Sequence, residues 1–310
     1  MHHPVLVEEV MEALRVRADG IYVDATCGPG GHVAEILRRL GPHGHLLALD
    51  RDPRAVAAAT ARFAGDGRVV LRKARFSMLQ DCIDGQKFNG RVHGILFDLG
   101  ISSTQLDDGE RGFSFQHTGP LDMRMDPEVG VSAAVFLSRA SEREIATVLQ
   151  DLGEERYARR IAHAIVRERA RRPIETTSQL AQLVSKAVPT RERGKNPATR
   201  TFLALRLLVN EELDELRAGL QQALWTLLPG GRLAVISFHS LEDRIVKRFM
   251  RTQARGEPVI DDLPVQTPRP APRLRLIGKA IRPRETEIQN NARARSAVLR
   301  VAERTEVERA

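Results

Sequence analysis

Cysteine is scarce: the 310 residues hold two, Cys27 and Cys82. Neither sits in a CxxC pair, which excludes a disulfide framework and points to a reducing compartment. HxxxH spacing is missing too, and His2, His3 and His32 fall in different elements, so no metal site is expected. Long apolar runs are absent, and a stretch such as Leu233 to Ile236 is far below the ~20 residues of a membrane span. MHHPVLVEEVMEAL has no basic start and carries Glu8 and Glu9, so it does not read as a signal peptide. The expectation is a soluble, cytoplasmic protein. Aromatic residues make up only 4%, too few for nucleic-acid binding by extensive base stacking.

Positive charge, by contrast, is in excess. Lys+Arg 48 against Asp+Glu 40 leaves +8, which predicts affinity for polyanions. An apolar share of 42% fits an ordinary folded protein, and the length suits two domains.

From Ile21 to Phe97, short apolar runs alternate with amphipathic stretches. IYVD, HLLALD, VVLRKA and GILFDLG read as strands, with helices over His32 to Leu40 and Pro53 to Phe63. The alternation predicts βαβ units around a parallel sheet buried on both faces. Ile101 to Pro127 reads as a long ordered loop, and Ser132 to about Val209 as wholly helical. Helices are expected after the Ser141/Glu144 capping box, over Glu154 to Arg172, over Ser178 to Val188, and from Asn196-Pro197 to a break near Asn210. RLAVISF resumes the strands, a helix over Leu241 to Met250 follows, Arg251 to Asn291 looks irregular, and ARSAVLRVAE closes the pattern. The expected architecture is α/β. Residues 1–127 and 211–310 form one discontinuous domain, interrupted by a helical insertion over 128–210.

Asp24 ends the first strand, Gly28-Pro29-Gly30-Gly31 turns into the helix at His32, and Asp50 closes the second strand. Glycine lets a ligand approach the backbone, and a carboxylate at Asp50 can accept both ribose hydroxyls. Val33 fills the slot of the third glycine of a dinucleotide fingerprint, and Asp24 disfavours a pyrophosphate. Both features favour a phosphate-free nucleoside such as S-adenosylmethionine. Asp98, at the tip of the fourth strand, can hold an adenine amino group or orient a substrate amine. Taken alone, Phe76 reads as core and Gln105 as a solvated side chain. Ser237 to Arg244 is dense in functional groups: His239 is a substrate candidate, and Ser240 with Asp243 reads as a helix cap.

Arg156, Arg160, Arg167 and Arg171 recur as one stripe on the helix expected over Glu154 to Arg172, suited to phosphates. Arg191, Arg193, Lys195 and Arg200 form a second basic segment, and Arg269, Arg273, Arg275, Lys279, Arg282 and Arg284 a third. Nucleic acid is therefore the expected partner.

YVDATCGPGGH, LLALDRDP, DLGISSTQLDD, GPLDMRMDP, GEERYARRIAHAIV, NPATRTFLALRLLVNEEL and ISFHSLEDRIVKRFM together resemble the bacterial RsmH (MraW) methyltransferases over nearly the whole chain. The resemblance implies a Rossmann-like S-adenosylmethionine-dependent methyltransferase domain with an inserted all-helical domain. It implies N4-methylation of a decoding-region cytidine in 16S (small-subunit) ribosomal RNA, with naked RNA or the 30S particle as partner. Carried over by motif, the cofactor contacts correspond to Gly30, Gly31, His32, Asp50, Phe76, Asp98 and Gln105. Direct methyl transfer to the exocyclic amine is the expected chemistry, with Asp98 as catalytic hydrogen-bond acceptor. Many amino-methyltransferases carry (D/N/S)PP(Y/F) after the fourth strand, whereas Asp98-Leu99-Gly100-Ile101 stands here and supplies no aromatic clamp. A DNA or protein amino-methyltransferase and a non-catalytic ribosome assembly factor are the alternative readings.

Overall fold

A computed structural model describes residues 4–189, 196–255 and 271–306. Along the chain, α1 (Val7–Leu14) precedes β1 (Ile21–Asp24), α2 (Gly31–Arg39), β2 (His45–Asp50), α3 (Pro53–Arg62), β3 (Val69–Lys73), α4 (Leu79–Gly85) and β4 (Val92–Asp98). A helical run follows: α5 (Ser103–Asp107), α6 (Ala133–Arg139), α7 (Glu142–Asp151), α8 (Ala158–Arg169), α9 (Thr177–Ala187) and α10 (Thr199–Val209). Then come α11 (Glu212–Thr226), β5 (Leu227–Ser237), α12 (Ser240–Arg255), β6 (Leu274–Leu276), α13 (Glu285–Asn290) and β7 (Val298–Arg304).

Seven strands form one sheet in the order β3-β2-β1-β4-β5-β7-β6. The pairs among β1 to β5 are parallel, and β7 runs antiparallel between β5 and β6. That reversed strand in the penultimate place departs from the 3-2-1-4-5-6 order of dinucleotide-binding sheets. The fold is Rossmann-like. Because successive side chains of a strand point to opposite faces, Val23, Leu47, Ile95 and Phe97 pack with α4, α11 and α12. Tyr22, Leu46, Leu96 and Ile236 pack with α1 and α2 on the other face.

The described residues divide into two compact units, one through Gly100 and again from Leu213, the other Ile101–Glu212. The helical unit thus begins at Ile101, not at 128 as the sequence implied. The reason is local: Phe113, Leu121, Met123 and Met125 belong to the helical core. Asn210 fixes this stretch, its Oδ1 accepting from the Met125 N–H (2.8 Å) and its Nδ2 donating to the Met123 carbonyl (2.7 Å).

Two helix starts also differ from expectation. The helix sought from Glu154 begins at Ala158, since Glu154 is left-handed (φ 48°) and the Glu155 carboxylate accepts from the Tyr157 N–H (2.9 Å). Arg156 therefore sits in a turn and Arg171 lies past the end of α8, leaving Arg160 and Arg167 on the helix. Asn196 holds the turn before α10 by accepting from the Ala198 N–H (2.9 Å). The stretch expected to be irregular contains β6 and α13. Arg191, Arg193, Lys195 and Arg269 lie outside the described residues.

Candidate active site

In the sheet unit, the C-terminal ends of β3, β2, β1 and β4 lie side by side, where open α/β sheets bind ligands. After β1 the chain folds back on β2, with the Cys27 N–H donating to the Leu49 carbonyl (2.7 Å). Gly28 (φ 50°) and Gly30 (φ 78°) adopt left-handed conformations that favour glycine. A Cβ on Gly30 would also come within 2.6 Å of the Phe63 ring. α2 starts at once at Gly31, so the turn presents bare backbone at a helix start.

Asp50 braces that turn. Its Oδ2 accepts from the Gly28 N–H and its Oδ1 from the Asp52 N–H, both at 2.8 Å. Each oxygen keeps a second lone pair, enough for two ribose hydroxyls. Burial pushes its pKa up to about 6, against the two backbone hydrogen bonds that lower it.

Asp98 is held by its own backbone. Its N–H donates to Thr26 Oγ1 (2.6 Å), which lies 3.2 Å from Asp24 Oδ1 as donor, and the next N–H, of Leu99, bonds the Ile236 carbonyl (3.0 Å). Asp98 Oδ2 lies 3.4 Å from His32 Nδ1. Its Oδ1 is buried without a hydrogen-bond partner. An orphan acceptor of this kind costs about 1–3 kcal/mol, so an incoming donor is favoured there.

His32 is buried between two acceptors, Asp98 and the Val5 carbonyl (Nε2 at 3.0 Å). Burial alone lowers the imidazole pKa, but the Asp98 hydrogen bond and the charges of Asp98 and Asp24 raise it above its ordinary value. Asp24 is itself pushed up to about 6 by burial, with His32 and Thr26 pulling the other way. The His32 ring is thus engaged, and what it can offer a ligand is backbone. Thr26, which ties Asp24 to Asp98, escaped the sequence reading. The local D-x-T spacing, typical of a side chain closing a turn on the backbone, was its only signal.

Phe76 lies just past β3, whose end meets Asp50 through the Ala74 N–H to Asp50 carbonyl bond (2.9 Å). It is half-buried and stands edge-on to Phe97, with ring centroids 5.1 Å apart. Gly30, Gly31, His32, Asp50, Phe76 and Asp98 thus share neighbouring strand tips of one unit. Gln105 belongs to the other unit, where its Oε1 accepts from the Ser102 N–H (2.9 Å) and closes the capping box of α5.

At the start of α12, a helix cap by Ser240 with Asp243 was expected, and a second carboxylate takes part. Glu242 is the carboxylate that turns back, its Oε2 accepting from the Phe238 N–H (2.8 Å) and the His239 N–H (3.3 Å). Asp243 makes a two-pronged pair with Arg300 (2.7 and 3.0 Å). His239 lies over this turn, with Nε2 3.1 Å from Glu242 Oε1.

The profile of the MraW methylase family matches residues 1–305. A "Ribosomal RNA small subunit methyltransferase H" of Thioalkalivibrio sulfidiphilus is 59% identical over 304 residues, covering 98% of this chain and 97% of the relative. That of Methylococcus capsulatus is 54% identical over 300 residues, covering 96% and 99%. Among solved structures, an rRNA methylase of Streptococcus thermophilus superposes with a TM-score of 0.44 at 12% identity, covering 99% of each chain.

Proposed function

The chain belongs to the MraW methylase family, and from that premise we propose that it transfers a methyl group from S-adenosylmethionine to the exocyclic N4 of a cytidine in the decoding region of small-subunit ribosomal RNA. Its place of action is then the cytoplasm, on that RNA or the 30S particle. The observation that carries the reading is the unpartnered, buried Oδ1 of Asp98 beside the glycine turn.

The residues present fit this cofactor. The turn from Gly28 to His32 offers backbone, Asp50 offers free lone pairs, and three carboxylates at the strand tips repel a pyrophosphate while suiting a cation. In this reading Asp50 would take the ribose hydroxyls, Gly30, Gly31 and His32 would line the turn, and Phe76 would complete the contacts of this unit. When bound, S-adenosylmethionine supplies a methyl carbon activated by a positive sulfonium.

Asp98, expected to contact the cofactor, acts on the other reactant as well. A cytosine amine is a poor nucleophile because its lone pair is delocalised into the ring. Asp98 Oδ1 accepts a hydrogen bond from the amine, favours its pyramidal form and takes up the proton that the methylated nitrogen sheds. The two backbone bonds at Asp98 and Leu99 fix the direction of that carboxylate, and alignment of this kind supplies much of the acceleration.

The decisive experiment supplies labelled S-adenosylmethionine and small ribosomal subunits lacking the modification, then digests the RNA to nucleosides for mass spectrometry. N4-methylcytidine is the expected product. Label in DNA or protein, or none at all, would defeat the proposal.

Asp50 adds a pH signature. Its raised pKa in the folded protein means that ionisation is disfavoured, so its contribution to stability is present below pH 4 and lost as the pH rises through about 6. Ribose hydroxyls that donate to the carboxylate stabilise the ionised form. Cofactor uptake at pH 6 should therefore release protons, and affinity should weaken as pH falls, by at most about tenfold per unit. Calorimetry in two buffers of different ionisation enthalpy reads this directly. A buffer-independent heat would show that Asp50 does not change its protonation on binding.

A further inference from the structure

Five cations share one face of α12. Arg244, Lys247, Arg248, Arg251 and Arg255 recur at helical spacing, while the buried side of the helix is Glu242, Val246 and Met250. The cations sit about one 5.4 Å turn apart along the helix, a repeat that suits the successive phosphates of a polynucleotide. Lys279 joins them from the segment after β6, where it lines a shallow groove with Lys247, Arg251 and Gly278.

The carboxylates nearby are already committed. Glu242 turns back on the start of the helix, Asp243 is held by Arg300, and Glu303 is shared by Arg232 and Arg275. No ion pair to a described carboxylate involves Lys247, Arg248, Arg251, Arg255 or Lys279. Lys247, Arg248, Arg251 and Arg255 with Lys279, paired with no described carboxylate, are poorly explained as a merely solvated face, where alternating charges are the rule.

We infer that this α12 face, with Lys279, is a docking surface for the phosphate backbone of the RNA substrate. The inference rests on the proposed function and deepens it. Because α12 leaves the sheet at the tip of β5, next to the strand that ends in Asp98, the row of cations begins at the end of the sheet that carries the active site and leads away from it. Contacts of this kind carry no sequence information; they set register and affinity while the pocket chooses the base.

The test is the triple variant Lys247→Gln, Arg251→Gln, Arg255→Gln, compared with a charge-preserving control, Arg251→Lys with Arg255→Lys. Binding to small ribosomal subunits is followed across a salt series, and S-adenosylmethionine binding is measured separately. Each lost phosphate contact should reduce the slope of log affinity against log salt by about 0.7–0.9, so the triple variant loses roughly two units of slope and about 10- to 100-fold in affinity near physiological salt. The control should keep the wild-type slope, and cofactor affinity should be unchanged in both.

An unaltered slope in the triple variant, with wild-type protein still methylating the subunits, overturns the docking surface alone. Failure of the wild-type protein to methylate them overturns the proposed function instead. Loss of binding to anionic phospholipid vesicles with RNA binding intact would assign the face to a membrane and also overturn the inference.

Discussion

Asp98→Asn is expected to lower the single-turnover rate of methyl transfer by about 10²–10³-fold with cofactor saturating, within the range for removing a positioned acid–base group. The substitution keeps the shape and the backbone bonds to Thr26 and Ile236, but it removes the negative charge facing His32 and the lone pair left free on Oδ1. Cofactor affinity should change by less than about tenfold, because Asp50 and the glycine turn are untouched. A rapid-quench experiment with pre-bound labelled cofactor separates the two quantities. A transfer rate within threefold of wild type would remove Asp98 from the chemistry, whatever happened to affinity.

A comparable effect, on stability, is expected at the far side of the sheet. Arg232 on β5 and Glu303 on β7 face each other in register, with 2.8 Å between Arg232 Nη2 and Glu303 Oε2. Arg232 is 4% exposed, and burial holds its guanidinium below the ordinary pKa although Glu303 pulls the other way. Glu303→Ala leaves that charge buried with no counter-ion, which costs about 3–5 kcal/mol. For a unit of this size the melting temperature should fall by roughly 6–20 °C. Replacing both partners, Arg232→Met with Glu303→Leu, should restore most of the loss, since a buried pair adds little over a packed apolar one. Thermal melts of the two variants decide the point; equal losses in both would mean that packing, rather than the unpaired charge, sets the penalty.

The sheet was the most legible part of the sequence, because each interior strand is a short Val, Ile and Leu run that needs both faces covered. β1 to β4 and β7 were found within a few residues, as were the capping box at Ser141 and the break at Asn210, whereas β5 starts at Leu227 rather than at the expected Arg232. β6 was not, since three residues among prolines and arginines carry no periodicity. The boundary of the helical unit was missed for a different reason. Polar residues dominate Ile101 to Pro127, yet Leu121, Met123 and Met125 belong to a core with distant residues such as Ile145, Ile161 and Phe202, which no local window contains.

At the site, glycines and strand-terminal carboxylates announced themselves by position. The roles proposed for Phe76 and Gln105 rest on family resemblance alone. Thr26 and the cations of α12 were overlooked because threonine in a turn and arginine on a helix are ordinary until their neighbours are known.

The placement of β7 has a consequence for synthesis. β4 is complete at Asp98, but β7, which lies inside the sheet, begins only at Val298. At about 5–20 residues per second, roughly 10–40 s pass between the two leaving the ribosome. The helical unit is continuous in sequence and can assemble meanwhile, whereas the first half of the sheet waits with an open edge, the state most prone to pairing with a neighbouring nascent chain.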